Sequence, residues 1–163
     1  MRRVDREMTA DFAWEIFDEA PFATLGLTDG LEPYLLPVSP ARIGEHIYIH
    51  CAPSGRKVDL ITANPRAVLN SVSRVNPVPE DFSTEYASGM FFGALTLVSD
   101  ETERIDAIRA ISERYAASNM ANFDAAVAAS MHRTLIYRLD VETVTAKRKK
   151  YGPDGKELKF GRM

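Results

Sequence analysis

Ser54-Gly55-Arg56-Lys57 decides how this chain reads, together with His46-Ile47-Tyr48-Ile49-His50-Cys51-Ala52 before it and Val58-Asp59-Leu60-Ile61 after it. The first run is β-branched and aromatic, as strands are, and the second is a short amphipathic helix, so the four residues form a strand-to-helix turn. Ser54 is the expected N-cap of that helix, whose first backbone N–H groups have no partner within it. Arg56 and Lys57 put two cations in the first turn, against a helix dipole that favours negative charge there. An anion at the turn removes the conflict, and a phosphate is its natural occupant. A plain turn with two solvated basic side chains is the other reading, and position alone leaves both open.

Composition narrows the class. A chain of 163 residues with 45% hydrophobic and 26% charged content is expected to form one globular domain, and a chain of that size buries about 70% of its unfolded surface without staples. The formal charge of -3 argues against a dedicated nucleic-acid binder. Cys51 is the only cysteine, which excludes an intrachain disulfide and a cysteine-rich metal or iron–sulfur site, and suits a reducing compartment such as the cytoplasm. The longest apolar stretch, Met90 to Val98, is too short to cross a membrane, and Met1-Arg2-Arg3-Val4-Asp5 does not lead into a signal-peptide core.

Outward from the turn, the rest of the chain alternates between strand and helix signals. Thr9 to Glu19 carries Phe12, Ile16 and Phe17 at helical spacing, with Thr9 as cap. Phe22 to Thr28 and Glu32 to Ser39 flank Asp29-Gly30 and read as a tight hairpin. Pro33, Pro37 and Pro40 cannot donate to a ladder, so the second of these strands is irregular or lies at an edge. The turn helix ends at Asn64-Pro65, and Ala67 to Val72 is the next strand. Val75 to Ser83, with Pro77 and Pro79, reads as a surface loop, after which a long strand runs from Tyr86 to about Val98. Ile105, Ile108 and Ile111 mark a helix over Asp100 to Tyr115, an alanine-rich helix covers Phe123 to Met131, and Thr134 to Val144 is a final strand. This order predicts a mainly β, α+β fold: a closed antiparallel barrel with peripheral helices. From Lys147 onward seven lysines and arginines face only Asp154 and Glu157. The expected division is therefore a domain over residues 1–147 and a mobile basic tail over 148–163, with docking on a partner subunit or an anion as the alternative for the tail.

Tyr48 to Leu69, with Ser54, Arg56-Lys57 and Asn64-Pro65-Arg66, resembles the flavin-binding stretch of the pyridoxamine 5′-phosphate oxidase-like FMN-binding split barrels. Residues 3 to 145 resemble the branch of nitroimidazole-resistance (nitroimidazole reductase) proteins, through Arg3-Val4-Asp5-Arg6-Glu7-Met8, Tyr34 to Ser39, Ile49-His50-Cys51-Ala52, and Tyr86-Ala87-Ser88 before Phe92-Gly93. The resemblance implies a six-stranded antiparallel split β-barrel that forms a homodimer with FMN at the interface. It implies that Arg56 and Lys57 hold the FMN phosphate with Ser54 assisting, and that the ring lies along the backbone of Val38-Ser39 and His50-Cys51-Ala52. Free amides near Pro37 and Pro40 then reach the ring heteroatoms, where donors tune flavin reactivity.

His50 is the candidate catalytic residue, a proton donor or substrate contact beside the ring, with a packed histidine as the plain alternative. His46 and His50 point to one face of a strand but stand about 13 Å apart at ~3.3 Å per residue, so they cannot share a metal ion, and no metal is expected. His132, near a helix end, has a structural reading, and Cys51, on the opposite face from His50, reads as an inert thiol. Met90, Phe91 and Phe92 read as core or dimer interface. True pyridoxamine 5′-phosphate oxidases end in a tryptophan-bearing substrate segment, which is absent here, where the only tryptophan is Trp14. The leading expectation is an FMN-dependent oxidoreductase taking hydride from a reduced nicotinamide and passing electrons to a small electrophile, a nitro compound or quinone. A non-catalytic flavin- or haem-binding sensor or storage module, with His50 as the axial candidate, is the alternative. A third reading makes the basic tail a nucleic-acid arm.

Overall fold

The computed structural model describes residues 2–161. Its strands are β1 (Glu7–Met8), β2 (Ala23–Thr28), β3 (Pro33–Val38), β4 (Ala41–Ile43), β5 (His46–Cys51), β6 (Arg66–Val78), β7 (Ser83–Leu97) and β8 (Leu135–Lys149). The helices are α1 (Ala10–Glu19), α2 (Arg56–Ala63), α3 (Glu101–Ala116) and α4 (Phe123–Ser130). One antiparallel sheet runs β3-β2-β6-β7-β8-β5-β4, with β1 added against the far end of β8. Its two edges, β3 and β4, are consecutive in the chain and joined only by Ser39-Pro40. Three Cα–Cα steps reach at most about 11 Å, so the sheet has to curl until its ends nearly meet. Pro37 and Pro40 withhold donors there, and the two edges do not pair. The result is a barrel left open along one seam, a split barrel.

Eight strands form where six are expected. β1 and β4 span two and three residues, too short for a period-2 pattern to register. Val75 to Val78, expected as loop, belongs to β6, where Asn76 to Val78 pair with Ser83 to Glu85. Pro77 is accepted because β2 pairs with β6 only at Val68 to Asn70, which leaves this end of β6 an edge. The Asp29-Gly30 turn is a four-residue loop in which the Asp29 carboxylate accepts the N–H of Leu31 (2.9 Å) and of Glu32 (3.1 Å), an Asx-type closure. Past the expected boundary at residue 147, β8 runs on to Lys149. The tail then turns back: Glu157 accepts from Arg6 Nε at 2.7 Å and the Phe160 N–H donates to the Asp5 carbonyl at 3.0 Å. Because both basic and acidic residues of this segment find partners at the N-terminal turn, it folds onto its own chain. The Glu157 carboxyl is accordingly held down, to about 2, chiefly by Arg6.

The core lies between α1 and the sheet. Thr9 Oγ1 accepts the Phe12 N–H at 3.2 Å and starts α1, whose Phe12, Ala13, Ile16 and Phe17 are buried. Phe91 on β7 stacks with Trp14 at 4.4 Å and with Phe17 at 5.6 Å between ring centroids. Gly89 lets α1 approach, since a Cβ there would stand 2.9 Å from the Ala13 carbonyl oxygen. A second cluster seats Ala107 and Ile111 of α3 on Ala41, Tyr48 and Ile136. Arg114 of α3 donates to the carbonyls of Phe17 and, at 2.8 Å, Ala20, satisfying the end of α1. No helix among the described residues is long and apolar enough to cross a membrane.

Ser71, facing the core from β6, is 1% exposed and its hydroxyl has no partner among the described residues. A buried hydroxyl without a partner costs about 1–3 kcal/mol. Ser71→Ala is therefore expected to raise stability by about 1 kcal/mol and the melting temperature by about 2–4 °C. A lower melting temperature in a thermal scan would show that the hydroxyl is instead satisfied by buried water.

Candidate functional site

The seam of the barrel holds a cavity of about 350 Å³ lined by Phe22, Pro37, Val38, Ser39, Ile49, His50 and Lys57. Three segments build it. The end of β3, where Val38 pairs with Ala23, supplies Pro37 to Ser39; β5 supplies Ile49 and His50; the first turn of α2 supplies Lys57. Alternation along β5 sends Ile47 and Ile49 toward the core and His46 and His50 outward. At the α2 turn the N-cap is Gly55, with φ 120°, and no side chain caps the helix. Ser54 is exposed and does not take the expected capping role. A left-handed backbone angle favours glycine over serine at the cap position, which moves the start of the helix one residue on. The Gly55 carbonyl accepts the N–H of Val58 (2.8 Å) and Asp59 (3.1 Å). The preceding amides of Arg56 and Lys57 have no acceptor among the described residues, as the first amides of a helix do when no side chain caps them.

Of the residues expected at the site, Val38, Ser39, His50 and Lys57 share the cavity. Cys51, Ala52 and Ser54 follow His50 along the chain without lining it. Arg56 turns away: its guanidinium donates to Glu32 at 3.1 Å and lies 5.0 Å from the Tyr34 ring centroid. This pair is well exposed, so it is weak and readily exchanged. Phe22 and Ile49 were not singled out by sequence reasoning. Ile49 is indistinguishable from other strand residues, while Phe22, 53% exposed beside Pro21, shows only in hindsight as an aromatic left outside the core.

The electrostatics follow from the layout. Partial desolvation at the cavity wall, and secondarily the charge of Lys57, push the imidazole of His50 below its ordinary range although the residue as a whole is exposed, so it is neutral near pH 7. Burial lifts the Cys51 thiol, partly opposed by Lys57, and its sulfur packs against the core on the face opposite His50. His46 instead faces Asp140, 3.3 Å from Nδ1 to the carboxylate. No group of three or more His, Cys, Asp or Glu side chains among the described residues is placed to hold a metal ion. The cavity thus offers polar and apolar wall in about equal measure, with a hydroxyl, a neutral imidazole and an ammonium, beside helix amides open to an acceptor. That combination suits a planar ligand with an anionic end.

Residues 9–148 match the family model described as pyridoxamine 5′-phosphate oxidase. The chain belongs to the pyridoxamine 5′-phosphate oxidase family. No curated protein matches the sequence. Among solved structures the fold of this oxidase-family chain is shared with the FAD and heme binding protein from Mycobacterium smegmatis, with TM-score 0.77, 19% identity, and 93% of this chain and 77% of that chain covered. It is shared as well with a candidate 5-nitroimidazole antibiotic resistance protein from Bacteroides thetaiotaomicron, with TM-score 0.73, 18% identity, and 87% and 86% covered. A FAD-binding protein from Mesorhizobium loti aligns with TM-score 0.65, 16% identity, and 88% and 95% covered. At these identities the likeness speaks for the fold alone.

The depressed His50 pKa sets a pH dependence. The unfolded chain, with an imidazole near 6.5, binds a proton that the folded chain resists, so His50 lowers stability as pH falls through about 6.5 and has no such effect above it. In urea titrations the difference between the native protein and His50→Gln is expected to grow against the native protein between pH 7.5 and 5. In an NMR titration His50 should titrate below 6.5, and Lys57→Ala should raise that midpoint without fully restoring it, since packing is the larger cause. A midpoint unmoved by Lys57→Ala would separate the two side chains.

Proposed function

We propose that the seam cavity binds a flavin, FMN, and that the protein is an FMN-dependent oxidoreductase of nitroreductase type. The carrying observation is that Val38, Ser39, His50 and Lys57, from three separate segments, line one cavity beside the uncapped start of α2. The donor set fits. Lys57 and the first amides of α2 form a phosphate cradle, and Arg56 completes it by exchanging the exposed carboxylate of Glu32 for the phosphate. Phe22 and Pro37 give apolar faces for a ring, with the backbone of Val38-Ser39 and of His50-Cys51-Ala52 along its edge. Family membership and the flavin named for several neighbours of like fold support the same reading.

When bound, the flavin supplies the hydride and electron chemistry, accepting from a reduced nicotinamide and reducing a small electrophile such as a nitro compound or quinone. This chain's residues bind and orient. Ser39 offers a hydroxyl donor at the cavity wall, and His50, neutral at rest, can take up a proton and deliver it to a reduced acceptor. A cavity of about 350 Å³ is at the small end for ligand sites. A second copy covers what projects, over the exposed Phe22 and Leu35 near the seam, giving a homodimer with the cofactor at its interface. The lone cysteine suits cytoplasmic residence.

A neutral imidazole at the cavity wall is also a competent axial ligand, so haem is the second reading, in a carrier or sensor role. The absorbance and mass of the small molecule released on denaturation separate the two, and turnover of reduced nicotinamide with a nitroaromatic acceptor tests catalysis. Arg56→Ala/Lys57→Ala should weaken FMN binding about a hundredfold, on the order of 3 kcal/mol, from the loss of two charge-assisted contacts. FMN binding left intact in that variant rejects the cradle, and a flavin-loaded protein idle with every acceptor rejects the oxidoreductase.

A further inference from the structure

A second concentration of positive charge lies where β6, β7 and β8 end together, on elements that do not line the seam cavity. In β6, Arg74 and Val75 form a bulge opposite Tyr86 alone, since Ser73 pairs with Ala87 and Asn76 with Glu85. Tyr86 in turn pairs with Lys149 of β8. The bulge opens a cavity of about 320 Å³, whose charged lining is Arg74, Arg148, Lys149 and Lys150 against Glu85.

These charges are not equally free. Arg74 is held by Glu15 and Glu19, and Lys149 donates to Ser83 Oγ and lies 5.3 Å from the Tyr151 ring centroid. Glu85 spends both oxygens on its own scaffold, accepting from the Tyr151 N–H at 2.7 Å and from Asn76 Nδ2 at 3.0 Å. The side chains of Arg148 and Lys150 make no hydrogen bond or ion pair among the described residues, although both lie near enough to Glu85 to feel its charge. The Arg148 guanidinium is nevertheless fixed, 4.9 Å from the Phe160 ring centroid and 5.7 Å from that of Phe12. An immobilised guanidinium fork with no acceptor, next to a free ammonium and an engaged carboxylate, is preorganised for an anion. Arg74 is already matched by Glu15 and Glu19, so the charge left over is that of Arg148, Lys149 and Lys150 against Glu85, and the Arg148 fork with a neighbouring ammonium suits the oxygens of a phosphate monoester.

We propose that this cavity is a second ligand site, taking a small phosphate monoester by its phosphate on Arg148 and Lys150. The site is independent of the cradle at α2. Titration of isotopically labelled full-length protein with inorganic phosphate and with phenyl phosphate, at constant ionic strength, is expected to shift the amides of Glu85, Lys149 and Lys150 with both ligands. Arg148→Ala/Lys150→Ala should weaken phenyl phosphate about tenfold or more, through loss of charge-assisted contacts, while Arg56→Ala/Lys57→Ala leaves this binding unchanged. Lys150→Ala alone, at an exposed strand end, keeps the question answerable where the double variant melts, and should weaken binding by a few fold. Shifts confined to residues 54–58, or equal binding by Lys150→Ala and the native protein, overturn the proposal. So does a short DNA duplex that outcompetes phenyl phosphate, which would make the patch a nucleic-acid face.

Discussion

Ser39-Pro40 ties the two ends of the sheet together, and most of the molecule answers to that tie. A seven-membered strand path whose first and last members are separated by two residues has no flat solution. It curls, and its curvature encloses Leu25, Leu69, Phe91 and Leu139 with α1 as the plug. Hydrogen bonding does not complete the ring, because prolines flank the junction and neither edge strand meets the other. The gap is thus a product of covalent geometry acting against backbone chemistry, and the cavity with His50 and Lys57 lies along it. The cavity-lining residues Val38, Ser39 and His50 thus lie where two edge strands stay unpaired with each other.

Much of this was legible from the chain. The long runs gave their type because alternation over many residues is hard to mistake, as in β7 from Ser83 to Leu97. Prolines at 33 and 37 correctly marked β3 as an edge, for the plain reason that they lack a donor. The α2 turn was placed correctly, but its cap was not: a serine beside a glycine looks like the cap until the backbone angle at Gly55 is known. Strand pairings that depend on distant partners were invisible. Nothing local in Val75-Asn76-Pro77-Val78 signals a strand, and only the facing Ser83 to Glu85 makes it one. The tail shows the same limit, since nothing local says that Lys159 will meet Asp5 or that Glu157 will meet Arg6 at the other end of the chain.

At the site the sequence located the segments but not which side chains converge. Two adjacent basic residues at a helix start look equivalent, yet the first turn of a helix separates neighbours by about 100°. Lys57 consequently faces the cavity and Arg56 faces Glu32 and Tyr34. The strand fares better, because period two decided in advance that His50 and Cys51 would part company, and they do. Family membership fixes the scaffold on which these choices are made, whereas the chemistry rests on a handful of orientations that only the packed chain determines.

The central place of β8 has a bearing on how this protein is made. His46 of β5 pairs with Asp140, and Glu7 of β1 with Lys147, so early strands wait for the last one. While the chain is still being synthesised, β5 has only the three residues of β4 for company, and the apolar side of Ile47 and Ile49 stays uncovered. Closure comes after nearly the whole chain has emerged, with contacts of high sequence separation forming last. Slow, late assembly of this kind leaves a window in which unfinished sheet edges meet other chains, and growth temperature or chaperone supply should govern yield more than the stability of the finished barrel does.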